Sequence, residues 1–142
     1  MIEVKPQKNG YDSRKFLSLR GVGDLGAGEN LKLSMGETVV CGRSRHCDWS
    51  LKRAPAYLGG STQRRDGIRK SLAFRSVSRQ HVRISYLAAD MVELTNLSSN
   101  GTIVDGNKVD RIILKNCDDE THVIKLGPKG VELELRPGSL PV

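Results

Sequence analysis

Three short polar clusters in this 142-residue chain combine residue types that hold oxyanions. Gly42-Arg43-Ser44 follows an apolar run at 38–41 and precedes Cys47-Asp48-Trp49-Ser50-Leu51. Ser76-Val77-Ser78-Arg79-Gln80-His81 forms the second cluster. Asn96-Leu97-Ser98-Ser99-Asn100-Gly101-Thr102 forms the third, with Val104-Asp105-Gly106 just beyond it. A phosphate monoester carries about −1.5 to −2 charges near neutral pH and several acceptor oxygens. Holding it takes a fixed cation and neutral donors on rigid turns. Arg43 offers two guanidinium N–H groups and a charge that does not titrate away. Ser78 adds a hydroxyl donor, and Arg79 a second cation or a backbone donor. Ser99 and Asn100 lie on a tight turn, where backbone and amide N–H groups can hold a peptide main chain.

Charge is concentrated around the first two clusters. Residues 43–83 contain 11 basic and 2 acidic residues, a net +9, whereas the remainder carries 12 basic and 14 acidic residues, a net −2. A localised positive field suits an anionic ligand, whether a phosphopeptide, a nucleic acid or an acidic surface.

The elements that position these clusters read as strands. Leu31 and Leu33, then Val82, Ile84 and Tyr86, then Val92 and Leu94, then Val131, Leu133 and Leu135 alternate with polar residues. A period of two describes strands with one buried face. Asn100-Gly101 and Asp105-Gly106 accept the positive φ of tight turns. Short strands with frequent turns predict an all-β, antiparallel sandwich. With 37% hydrophobic residues, the chain suits one domain with a core built mainly from Val, Leu and Ile, because aromatics make up only 4%. The expected boundaries are a loose N-terminus at 1–14, the domain at 15–137 and a tail at 138–142. Residues 53–75 lack sustained alternation and read as a long basic loop insertion, with a short helix somewhere in 64–74. No apolar run approaches the roughly 20 residues of a membrane span. Residues 1–16 have no secretory pattern, and Cys41, Cys47 and Cys117 form an odd set without framework spacing. These features point to reduced thiols in a cytoplasmic protein without membrane partners.

The order Gly-Arg, Ser-x-x-His, Asn-x-Ser-Ser-Asn-Gly-Thr and a second x-Gly turn resembles the signature of forkhead-associated (FHA) domains. The resemblance spans roughly residues 16–135 and implies a β-sandwich of about 11 strands with binding loops at one end. It implies phosphothreonine-dependent peptide binding in Ser/Thr kinase signalling, without catalysis or a cofactor. The partner would be a kinase product or the kinase itself. By resemblance, Arg43, Ser78 and Arg79 contact the phosphate, with Ser99 helping, and Asn100 bonds the peptide backbone. Gly42 and His81 shape the loops, and Gly101 and Thr102 lead the turn into the next strand. A preference for phosphothreonine over phosphoserine is implied as well.

The chain departs from that family in two places. Arg43 and Ser78 lie 35 positions apart, about twice the family's usual interval, and the excess is the basic insertion. Lying between two phosphate-binding clusters, it is expected near the mouth of the site as an electrostatic accessory outside the phosphate pocket. The second turn is Asp105-Gly106 instead of the commoner Asn-Gly, which sets a carboxylate near the expected peptide track. Rival readings are weaker. A Ser78–His81–Asp48 triad has no Gly-x-Ser-x-Gly elbow behind it, and Cys41, His46, Cys47 and Cys117 contain no Cys-x-x-Cys pair for zinc. Nucleic acid would want interleaved aromatic platforms, and the charged stretch has only Trp49, Tyr57 and Phe74. An assembly role independent of phosphate is left little room by an intact set of Arg43, Ser78 and Asn100.

Overall fold

The computed structural model describes residues 15–139; the expected loose terminus at 1–14 lies outside them. Among the described residues, eleven strands build two sheets. One runs β2 (Asn30–Leu33), β1 (Lys15–Val22), β11 (Val131–Ser139), β10 (His122–Leu126), β7 (Thr102–Val104), β8 (Asn107–Val109). The other runs β4 (Trp49–Ser50), β3 (Thr38–Gly42), β5 (Val82–Ala88), β6 (Met91–Asn96), β9 (Arg111–Lys115). All pairings are antiparallel except the short β3–β4 contact, where Cys41 faces Trp49. This is the all-β sandwich that the alternation predicts.

Each alternating run places its apolar residues inward. Leu19 sits opposite Leu135 across β1–β11, and Ile84 opposite Leu94 across β5–β6. All four are fully buried. Cross-strand pairs of this kind fix register, since a slip of one residue would turn each apolar face to water. The Trp49 side chain is fully buried and donates from Nε1 to the Glu29 carbonyl at 2.7 Å. It fits because Gly21 lacks a Cβ, which would stand 2.9 Å from the indole.

Two expectations need correction. Strand β11 continues to Ser139, past the expected boundary at 137, because it pairs with β1 along that strand's whole length. The supposed basic loop is largely helical, with a 3-10 turn at Leu51–Arg53, α2 (Pro55–Leu58), α3 (Thr62–Lys70) and α4 (Leu72–Arg75); α1 (Gly23–Gly26) lies elsewhere, between β1 and β2. Local chemistry accounts for the helices. Pro55 opens α2, where its missing N–H costs nothing. Ser61 and Ser71 cap α3 and α4, accepting from the backbone N–H groups of Arg64 and Phe74. Two buried aromatics, Tyr57 and Phe74, tie the insertion to the core. Among the described residues no helix is long and apolar enough to cross a membrane.

Candidate functional site

Strand β3 ends, β5 begins and β6 passes to β7 at the same end of the sandwich, so the three polar clusters converge there. Arg43 and Ser44 donate their backbone N–H groups to the carbonyls of Ser78 (2.9 Å) and Arg79 (3.1 Å). This short ladder locks the first cluster to the second. The Cys47 thiol also donates to the Arg79 carbonyl at 3.0 Å, and burial raises its pKa.

His81 joins all three clusters. Its backbone N–H donates to Cys41, and its carbonyl accepts from Leu97. The ring Nδ1 accepts from the Ser78 backbone N–H at 3.0 Å. That bond requires Nδ1 to be unprotonated, so the proton is on Nε2, which donates to the Gly101 carbonyl at 2.8 Å. Burial lowers the His81 pKa, and the bond to Gly101 opposes this only in part. With both ring nitrogens held by backbone, and Asp48 accepting from the Val40 N–H, Ser78, His81 and Asp48 do not assemble as a triad.

A depressed imidazole pKa gives a definite pH dependence. Above the ordinary value near 6.5 the ring is neutral in folded and unfolded chains, and its contribution to stability is complete. As pH falls below that value the unfolded chain takes up a proton first, and stability drops until the folded-state pKa is passed. The expected result is a melting temperature that falls between pH 7 and 5, with a shallower fall in His81→Ala. That variant should also melt lower at pH 7, because the Ser78 N–H loses its partner at about 1–3 kcal/mol, while the Gly101 carbonyl keeps only its bond from the Gly127 N–H. Parallel pH slopes in the two proteins would contradict this account.

The third cluster is held from within. The Asn96 carboxamide oxygen accepts from the Ser98 N–H (3.1 Å), the Ser98 hydroxyl (2.7 Å) and the buried Thr102 hydroxyl (2.8 Å). Ser98 Oγ in turn accepts from the Gly101 N–H at 2.9 Å. Ser99 and Asn100 stand exposed on this turn. Asn100 already donates from Nδ2 to the Ser76 carbonyl at 2.9 Å, so one amide proton clamps the second cluster. Asn96 and Ser98 are structural residues to which the motif alone assigns no role. The Asn-x-Ser spacing of an Asx turn was the available signal.

The Asp105 carboxylate is directed elsewhere. Asp105 lies at the far end of β7 from Gly101, at φ 50°, accepting from the Val123 N–H at 2.8 Å and meeting His122 Nδ1 at 2.7 Å. It is engaged with β10 and does not face the three clusters.

Beside the clusters opens a cleft of about 970 Å³. Arg43 and Arg79 line it, and so do Tyr57, Arg65, Arg69 and Phe74 from the insertion. The insertion is therefore a wall of the cleft beside the clusters. Tyr57 and Phe74 stack with centroids 5.4 Å apart and planes 10° from parallel. The Arg43 guanidinium carbon lies 5.7 Å from the Phe74 centroid, within cation–π range. Ser78, Ser99 and Asn100 are at the same end of the sandwich without lining this cleft.

Arg43 and Arg79 thus stand on hydrogen-bonded turns at one end of a β-sandwich. The FHA domain family model matches residues 39–127, and the chain belongs to the FHA domain family. No curated protein matches it significantly. Among solved structures, the FHA domain of the CT664 protein from Chlamydia trachomatis is 20% identical, with a TM-score of 0.57, over 89% of this chain and 99% of that one. An FHA domain from a study of phosphothreonine-dependent interactions is 23% identical, TM-score 0.53, over 89% and 99%. The MEK1 FHA domain in complex with a phosphothreonine peptide of HOP1 is 16% identical, TM-score 0.52, over 84% and 94%. At these identities the likeness establishes the fold.

Proposed function

We propose that this chain is a phosphothreonine-dependent peptide-binding module that brings a phosphorylated partner to its host in Ser/Thr kinase signalling. It acts without catalysis and without a cofactor. The observation that carries this reading is the pairing of Arg43 with Arg79 at one cleft, their loops pinned by the backbone bonds to Ser78 and Arg79. Two guanidinium cations on loops bonded to one another match a phosphate dianion better than a single carboxylate. The phosphothreonine peptide bound by the related MEK1 domain supports the ligand class. In this reading Arg43, Ser78 and Arg79 hold the phosphate with help from Ser99. Asn100 bonds the peptide backbone through its carboxamide oxygen and remaining amide proton. The partner is a product of such a kinase, or the kinase itself, met in the cytoplasm.

The test is an oriented phosphothreonine peptide library, followed by calorimetry on the best sequence in three forms. Charge-assisted hydrogen bonds contribute about 1.5–3 kcal/mol each, so the unphosphorylated peptide should bind at least a hundredfold more weakly. The phosphoserine form should bind roughly fivefold more weakly, for a buried methyl worth about 1 kcal/mol. Equal affinity of the phosphorylated and unphosphorylated forms would remove the reading.

A further inference from the structure

The cleft holds more positive charge than one phosphate needs. Its lining includes Arg43, Arg45, Lys52, Arg65 and Arg79, and no carboxylate pairs with any of these five among the described residues. Arg53 and Arg69 also line it but are engaged. Arg53 bonds the carbonyls of Arg45 and Asp48 and pairs with Glu29 at 3.2 Å. Arg69 pairs with Asp66 and donates to the Tyr57 hydroxyl at 3.0 Å. A phosphothreonine side chain offers at most two negative charges to Arg43 and Arg79, which leaves Arg45, Lys52 and Arg65 uncompensated in one concavity. Like charges gathered this way repel until an anion enters.

Arg65 is the best-placed receptor. Its guanidinium carbon lies 5.9 Å from the Tyr57 centroid, so the Tyr57–Phe74 stack carries Arg65 against one ring and Arg43 against the other. Its Nε–H has no acceptor among the described residues. Its Nη2 reaches the carbonyls of Leu58 and Gly60 only at 3.5 Å. The Nε is buried beyond a ligand's reach, but the two Nη2 contacts are long enough to give way to an anion. The two ring contacts and the stack limit the separation of the Arg43 and Arg65 guanidinium carbons to about 17 Å, roughly five residues of extended peptide.

Resting on the phosphothreonine reading above, we propose that the helical insertion builds a second anion pocket, with Arg65 at its centre and Lys52 and Arg45 beside it. The pocket reads a second anionic side chain, phosphate or carboxylate, within about five residues of the phosphothreonine on the same segment. The preferred partner is then a segment phosphorylated twice, or one phosphothreonine in an acidic context.

Fluorescence anisotropy on one peptide scaffold tests this with four forms: unphosphorylated, singly phosphorylated on threonine, that form with Glu at positions up to five residues away, and doubly phosphorylated at the same positions. At the best position the second phosphate should tighten binding at least tenfold over the singly phosphorylated peptide, and Glu should tighten it less. In Arg65→Gln that ratio should fall towards one. Arg64→Gln, which removes the same charge from an exposed position on the same helix outside the cleft, should keep it, and the melting temperatures of both variants show that the helix is intact. A ratio near one in the unmodified protein at every position would overturn the second pocket and leave the phosphothreonine reading standing. A ratio that survives Arg65→Gln, or falls equally in Arg64→Gln, would assign the gain to the general field and overturn it too. If the singly and doubly phosphorylated forms bind no better than the unphosphorylated one, both readings fail together.

Discussion

Arg43→Ala should lower affinity for a phosphothreonine peptide by more than a hundredfold and leave the fold intact. Both halves follow from where Arg43 sits. Its backbone N–H secures the loop by bonding Ser78, and alanine keeps that bond. Its side chain has no carboxylate partner among the described residues and touches the Phe74 ring. The folded chain thus loses only a partly exposed cation–π contact, about 0.5–1 kcal/mol. The complex loses two charge-assisted bonds at about 1.5–3 kcal/mol each. Arg43→Lys should fall between the two proteins, because an ammonium keeps the charge and loses the planar fork. Calorimetry with the phosphorylated peptide and a thermal melt of each variant check the prediction. Residual affinity within tenfold of the unmodified protein would move the phosphate to other residues.

The sandwich was legible in the sequence because its strands bury one face each. Leu133 and Leu135, or Val82 and Ile84, announce their strands two residues at a time, and the period survives without any tertiary information. The polar clusters were legible for a different reason. Their residues are adjacent in sequence, since each cluster is one loop. What joins the loops was hidden, because His81 reaches Gly101 across twenty positions through a ring nitrogen, and no local pattern encodes that bond. The insertion was hidden more thoroughly. Its longest helix, α3, has no buried residue, so it shows no apolar stripe, and its anchors Tyr57 and Phe74 lie at the two ends of the segment. Serines placed three residues before Arg64 and Phe74 did mark its helix starts. The contact of Arg43 with Phe74, separated by a whole inserted subunit of structure, is a product of the fold alone.

That dependence of the site on backbone packing leads to a large effect from a small change. Gly42→Ala should destabilise the domain and weaken phosphopeptide binding together. A Cβ at Gly42 would stand 2.2 Å from the Arg79 carbonyl oxygen and 2.9 Å from that of Ser78. Both are backbone atoms, and both already accept from Ser44 and Arg43. Neither can retreat without opening the ladder that sets the spacing of Arg43 and Arg79. Overpacking of this kind costs about 1–3 kcal/mol, and the strained bonds add to it, so the melting temperature should fall by roughly 10 °C. Affinity should fall at least tenfold at temperatures where the variant is still folded, because the two guanidiniums no longer meet one phosphate. Gly67→Ala supplies the contrast. A Cβ there meets nothing within 4 Å, and the position lies inside α3, where alanine stabilises by about 0.4–1 kcal/mol through the unfolded chain. The same chemical change should therefore raise the melting temperature slightly at Gly67 and lower it sharply at Gly42. A Gly42→Ala protein that melts and binds like its parent would show that the loops yield freely, and that the ladder between the first two clusters does not set the geometry of the site.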